Sequence, residues 1–205
     1  MTQKKKLWKY RKTDGELVDL LAKKLDISSV TALLLVNRGI KTIEEAKKFL
    51  TPSLTELADP FLLNDMDKAV DRLIKGLEEE EEILIYGDYD VDGITSTALL
   101  YSLLKEMGGK VSFYIPSRFV EGYGLSRDSL DKAVAQKVDL IVTVDCGEKA
   151  AAEVAYVQDK GIDVIVTDHH QPQGEVVAVA HINPHRQDAS YPFKELAGEG
   201  VAFKL

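Results

Sequence analysis

Three aspartates alternate along YGDYDVDGITSTALL (residues 86–100): Asp88, Asp90 and Asp92. Carboxylates packed this closely repel one another unless a positive charge lies among them. Asp145 opens a second short motif, DCG, and Asp168, His169 and His170 stand together in a third. Each group directly follows a short apolar run: ILIY (83–86), LIVTV (140–144) and DVIVT (163–167). Carboxylate oxygens with one or two imidazoles, and no thiolate cluster, suit a hard or borderline divalent cation such as Mn²⁺ or Mg²⁺. Five aspartates and two histidines exceed the needs of one ion. They suit a pair roughly 3.5–4 Å apart, the arrangement that activates a water and steadies both oxygens of a phosphoryl displacement. Asp145, alone on its strand end, is the natural bridge.

Taken singly, each motif has an ordinary structural reading. DVDG is a common solvated turn, and DCG reads as a helix start. What points to chemistry is that all three occupy equivalent strand ends. In a doubly wound sheet, parallel strands deliver their carboxyl ends to one edge, where sites are built. Gly87 and Gly93 do not make G-x-G-x-x-G, so a dinucleotide site is disfavoured, and no phosphate-binding P-loop is present. The ligand set is too oxygen-rich for zinc to be favoured.

The elements that must position these groups alternate. Residues 66–77 carry a single apolar stripe, Met66, Ala69, Val70, Leu73, Ile74 and Leu77, at helical spacing. The remaining pattern predicts strands at 83–86, 111–115, 140–144, 163–167 and 176–183, with helices at about 94–107, 127–137 and 149–160. KELAGEGVAFKL begins another helix. Short apolar runs alternating with helices predict an α/β fold with a parallel sheet covered on both faces. Residues 14–50 read as three helices, Thr42 and Glu45 having capping-box spacing. The expected domains are a helical lead-in over 1–62 and a site-bearing domain over 63–205.

Composition narrows the setting. The net charge is −8, which argues mildly against coating nucleic acid through overall charge but not against an enzyme acting on it. Lys4, Lys5, Lys6, Lys9, Arg11 and Lys12 form an acid-free head, and Glu78 to Glu82 an acidic run; solvated surface explains both. One cysteine, Cys146, excludes an internal disulfide and points to a reducing cytoplasm. No apolar run approaches a membrane span.

GDYDVDGITSTALL, VTVDCG, VTDHH and INPH occur in the order and spacing of the DHH phosphoesterase superfamily. LWKYRK, LLVNRGI, AKKFLTPSL and DPFLLNDMDKAVDRL further resemble the RecJ family of single-strand-specific DNA exonucleases. That resemblance implies a three-layer DHH-type phosphoesterase domain acting with two Mn²⁺ or Mg²⁺ ions. It also implies 5′-to-3′ removal of nucleotides from single-stranded DNA in recombination and repair, with a monomer the expected state. By motif, Asp88, Asp90, Asp92, Asp145, Asp168 and His169 would hold metal. Asp145, His169 and His170 would be catalytic, His170 facing the scissile phosphate. Asn183 and His185 would lie around the rim.

Two departures accompany the resemblance. RecJ proteins continue past GVAFKL, so this chain resembles an amino-terminal fragment from which little or no nuclease activity is expected. Glu148 and Glu199 also stand where the family usually has apolar residues, and His181 interrupts an apolar strand; burying unpaired charge at these positions would cost several kcal/mol. They form either one metal or acid–base constellation, or unrelated changes at surface and by drift. Two other functions stay open: a DHH phosphoesterase acting on a cyclic dinucleotide, oligoribonucleotide or polyphosphate, and a silent or engineered scaffold.

Overall fold

The computed structural model describes residues 12–205. The basic residues Lys4, Lys5, Lys6, Lys9 and Arg11, and with them most of LWKYRK, lie outside the described residues. The chain divides into two compact units, Met1–Leu57 and Ala58–Leu205, so the division falls five residues before the boundary read from the sequence.

The first unit holds three helices, α1 (Gly15–Leu25), α2 (Ser29–Asn37) and α3 (Ile43–Leu50). Each starts on a side-chain cap that satisfies an orphan N–H: Asp14 accepts from Leu17, Ser28 from Thr31, and Thr42 from Glu45. The Glu45 carboxylate returns to the Thr42 N–H at 3.0 Å, completing the capping box. Val18, Leu21, Ala32, Leu35 and Ala46 form this unit's core.

The second unit runs α4 (Met66–Glu78), β1 (Glu82–Tyr86), α5 (Val91–Glu106), β2 (Lys110–Tyr114), α6 (Arg127–Ala135), β3 (Leu140–Val144), α7 (Ala151–Gln158), β4 (Asp163–Thr167), β5 (Ala180–Ile182) and α8 (Gly198–Lys204). The strands form one parallel sheet in the order β2-β1-β3-β4-β5. Alternate strand residues feed two cores, as the period of two requires. Ile83, Ile85, Leu140, Val142 and Ile165 pack with α4, α5 and α8; Leu84, Ile141, Val164 and Val166 pack with α6 and α7. This is the expected α/β sheet covered on both faces. No helix among the described residues is long and apolar enough to cross a membrane.

The order β2-β1-β3 means that the chain leaves β1 in one direction and later returns on its other side. The carboxyl ends of β1 and β3 therefore flank a topological switch point. Register fixes the rest: Tyr86 pairs Thr143, and Val144 pairs Thr167, so the residues that follow these strands emerge side by side.

Several boundaries differ from the sequence pattern, three of them near the strand ends that carry the motifs or at the last helix. α5 begins at Val91, because Asp90 Oδ1 accepts from the Gly93 N–H at 3.1 Å and starts the helix a turn early. The apolar run 176–183 yields a strand only over Ala180–Ile182. Its ladder on β4 begins at the Ile165–Ala180 pair, and Val177 projects into solvent. The last helix begins at Gly198, Ala197 before it being extended.

Gly93 permits the closest approach in the unit. A Cβ there would lie 2.5 Å from both the backbone N and O of Asp88, atoms that belong to the main chain and cannot swing aside. Gly93→Ala is expected to lower stability by roughly 1–3 kcal/mol, the range for overpacking a filled site. Urea unfolding measures this, and an unchanged midpoint would contradict the contact.

Candidate metal centre

The three motifs meet at the switch point. Asp88, Asp90 and Asp145 each offer an oxygen, and these atoms lie within 4.8 Å of one another. Asp145, His169 and His170 form a second such trio. The two trios share one residue, Asp145, which contributes to both from the end of β3.

Local backbone explains how Asp145 reaches both. Its φ of 61° is left-handed, a conformation aspartate tolerates better than most residues. Its N–H donates to the Thr167 carbonyl at 3.1 Å, which keeps it registered on β4 while the chain turns. From the other side α8 presses Gly198 against it; a Cβ at 198 would stand 2.5 Å from Asp145 Oδ1.

The electrostatics of this centre are unfavourable as the protein alone presents them. Asp145 is 1% exposed, and both its oxygens lack a hydrogen-bond partner, as does Asp88 Oδ1. His169 Nε2 lies 3.1 Å from Asp145 Oδ1 without making a hydrogen bond to it. Burial, then the charges of Asp90, Asp92 and Asp168, push the Asp145 carboxyl up to about 8. Burial likewise raises Asp88. Buried, unpartnered carboxylate oxygens among other carboxylates are what a divalent cation neutralises. The donors, oxygen-rich with imidazole nitrogen, fit Mn²⁺ or Mg²⁺.

Asp168 sits differently. Neither trio includes it, and both its oxygens are occupied by protein groups. Oδ1 accepts from the N–H groups of His169 (2.7 Å) and His170 (3.1 Å) and contacts His170 Nδ1 at 2.7 Å; Oδ2 accepts from the Glu148 N–H at 2.9 Å. Burial opposes its charge, but the His170 imidazole and these N–H groups outweigh it and hold the carboxyl low. The same hydrogen bond raises His170. Since Nδ1 is engaged, Nε2 is the His170 nitrogen left for an ion or a phosphate.

The remaining candidates are dispersed. Asp92 Oδ2 stands 3.7 Å from His169 Nε2 and accepts from the Gly198 N–H at 3.1 Å. The neighbouring carboxyls of Asp92 and Glu199 interact, which holds Glu199 up and Asp92 down. Glu148 and His181 meet elsewhere, Oε2 to Nε2 at 2.7 Å, so of the two readings of Glu148, His181 and Glu199 the single shared constellation is not the one formed: Glu199 lies with Asp92. Asn183, placed at the rim from sequence, is instead buried at 1% exposure, because its amide spans Glu148 and the His170 carbonyl. His185 is half-buried, its Nδ1 at 3.1 Å from Gln171 Nε2. A cavity of about 780 Å³ is lined by Glu148, His181, Asp65 and Arg186 among others, and by none of Asp88, Asp90, Asp92 and Asp145.

Sequence reasoning missed Tyr123. Its hydroxyl lies 3.2 Å from His170 Nδ1 and donates to the Asp145 carbonyl at 3.3 Å, and burial raises its pKa. The available signal was an aromatic between Gly122 and Gly124, both at positive φ, in the loop after β2.

A parallel sheet whose carboxyl edge gathers aspartates and paired histidines is the arrangement of a DHH-type α/β domain. Residues 82–205 match the DHH family, N-terminal domain, and the chain belongs to that family. It is 42% identical over its whole length to the single-stranded-DNA-specific exonuclease RecJ of Bacillus subtilis (strain 168), of which it spans 26%. Among solved structures it resembles an exonuclease RecJ bound to manganese (36% identity, TM-score 0.63, covering 69% of this chain and 36% of that one). It also resembles the RecJ of Thermus thermophilus in complex with Mn²⁺ (29% identity, TM-score 0.68, covering 92% and 26%). The chain thus spans about a quarter to a third of the length of these relatives.

The raised Asp145 carboxyl has a signed consequence for the metal-free protein. A carboxyl held above its unfolded value near 3.8 binds its proton more tightly in the fold, so stability falls as pH rises from there toward about 8. Metal-free protein should lose stability on the order of a few kcal/mol across that window. Asp145→Asn should flatten the profile, and saturating Mn²⁺ should restore the wild type but not the variant. Chemical denaturation at several pH values, with and without Mn²⁺, measures all three outcomes.

Proposed function

We propose that this domain hydrolyses phosphodiester bonds of single-stranded DNA from the 5′ end, with two Mn²⁺ or Mg²⁺ ions at the Asp145 centre. The observation that carries this reading is the pair of ligand trios sharing one buried carboxylate whose oxygens have no protein partner. Kinship with RecJ exonucleases, two of them solved with manganese, supports the substrate and the ion.

Asp88, Asp90 and Asp145 would hold one ion, and Asp145 with His169 the other, with Asp92 beside it. Bound ions would supply Lewis acidity, lowering the pKa of a water and neutralising charge on the phosphoryl oxygens. His170 would face the scissile phosphate through Nε2. Asp168 holds its ring toward the imidazolium, the form that stabilises developing charge and can protonate the leaving oxygen. Tyr123 would fix the same ring from its outer side. The setting we assign is the cytoplasm, in DNA recombination and repair, with the chain monomeric; one buried free cysteine accords with a reducing compartment.

Incubation with Mn²⁺ and labelled single-stranded DNA, duplex DNA or a dinucleotide tests the reading. Weak Mn²⁺-dependent shortening of single strands is expected, with duplex spared. Loss of outer-shell partners already costs 10–100-fold at metal sites, so Asp145→Ala should reduce the rate at least roughly 10²-fold. Dinucleotide cleavage alone would move the assignment to small phosphodiesters. Activity undiminished in Asp145→Ala would remove the site.

A further inference from the structure

Glu148 is 2% exposed and is held by three partners. Its N–H donates to Asp168 Oδ2 at 2.9 Å, while its Oε2 accepts from Asn183 Nδ2 at 2.5 Å and lies 2.7 Å from His181 Nε2. The same Asn183 amide donates to the His170 carbonyl at 2.9 Å. One residue therefore grips the 168–170 segment twice, directly at Asp168 and through Asn183 at His170. Asp168 in turn accepts from the N–H groups of both His169 and His170 and from the His170 ring.

A buried carboxylate is tolerable only when paired and hydrogen-bonded. His181, on the edge strand β5, supplies that pairing from the neighbouring sheet position. An apolar side chain at 148 could fill the space, but it could not accept from Asn183. The two polar departures in the strand-end region thus compensate each other, and their joint product is a fixed His170 carbonyl.

We propose that Glu148, braced by His181 and acting through Asn183, is a positioning residue that fixes the His170 carbonyl and thereby the adjoining His169 imidazole beside Asp145. The proposal rests on reading this centre as a divalent-ion site. Residues that orient metal-binding imidazoles from outside typically change ion affinity about 10–100-fold.

The test compares wild type, Glu148→Ala, Glu148→Gln and Asn183→Ala in the whole chain. It uses Mn²⁺ titration calorimetry and the ¹H–¹⁵N spectrum of the metal-free protein. Wild type should take up two ions. Glu148→Ala and Asn183→Ala should each lose affinity for one ion by about 10–100-fold while keeping the ion at Asp88, Asp90 and Asp145. The His170 amide signal should move in both while α6 and β3 signals stay in place. Glu148→Gln should recover most of the affinity and the signal, since its amide oxygen can accept both hydrogen bonds. A side chain that merely fills space would not give that recovery. Folded variants that bind both ions like wild type, with the His170 amide unmoved, would overturn the proposal. Should Glu148→Ala fail to fold, Asn183→Ala decides, because it leaves Glu148 paired with His181 and removes, besides the relay, only the acceptor of the His185 N–H. Should wild type bind no Mn²⁺, the ion-centre reading falls, and the metal-free His170 signal still decides whether Glu148 positions it.

Discussion

The crowding of negative charge around one buried side chain governs this structure. Asp145 has been taken out of water, turned by a left-handed backbone and set among Asp88, Asp90, Asp92 and Asp168, with neither oxygen hydrogen-bonded. A fold driven by stability alone would place an apolar residue or an amide there. The arrangement makes sense if the missing positive charge comes from outside the chain, so that the strain of the metal-free fold becomes affinity for a cation. The rigid setting serves the same end. Gly93 and Gly198 let main chain approach Asp88 and Asp145 to distances no Cβ would allow, which leaves little room for the carboxylates to swing apart.

The sheet makes this possible because parallel strands solve the placement problem once for all three motifs. Strands β3 and β4 are buried along nearly their whole length, and their registration is set by ladder hydrogen bonds and two cores. Groups that follow them inherit that rigidity. The imidazoles would otherwise be the loosest members; Asp168 ties them down, committing both its oxygens to protein donors rather than to an ion. Two aspartates of similar sequence context thus divide the work: one keeps its oxygens bare, the other saturates them.

Much of this was legible in the residues. β3 and β4 match their apolar runs residue for residue, and the Thr42–Glu45 box appears as spaced, because those signals are local. Convergence of the three motifs followed from a rule about parallel sheets and needed no distances. What could not be read were pairings between side chains distant in sequence. Glu148 and His181 are 33 residues apart, and their contact depends on β5 lying next to β4, a fact no periodicity contains. The apolar run at 176–183 overstated its strand for the same reason: the partner strand, not the run itself, decides where a ladder stops. Asp168 and Asp145 look alike in sequence, and only the direction of nearby N–H groups separates their roles.

Glu148 and His181 illustrate how a local departure becomes intelligible through tertiary contact. Each alone breaks the expectation that strand-end and edge-strand positions facing the interior are apolar. Together, 2.7 Å apart, they satisfy one another, and the residual hydrogen-bonding capacity of Glu148 Oε2 is taken by Asn183. Glu148 Oε1 remains without a partner, and the residue borders the 780 Å³ cavity. What ties the pair to the ion centre is the Asn183 amide, which joins Glu148 Oε2 to the His170 carbonyl.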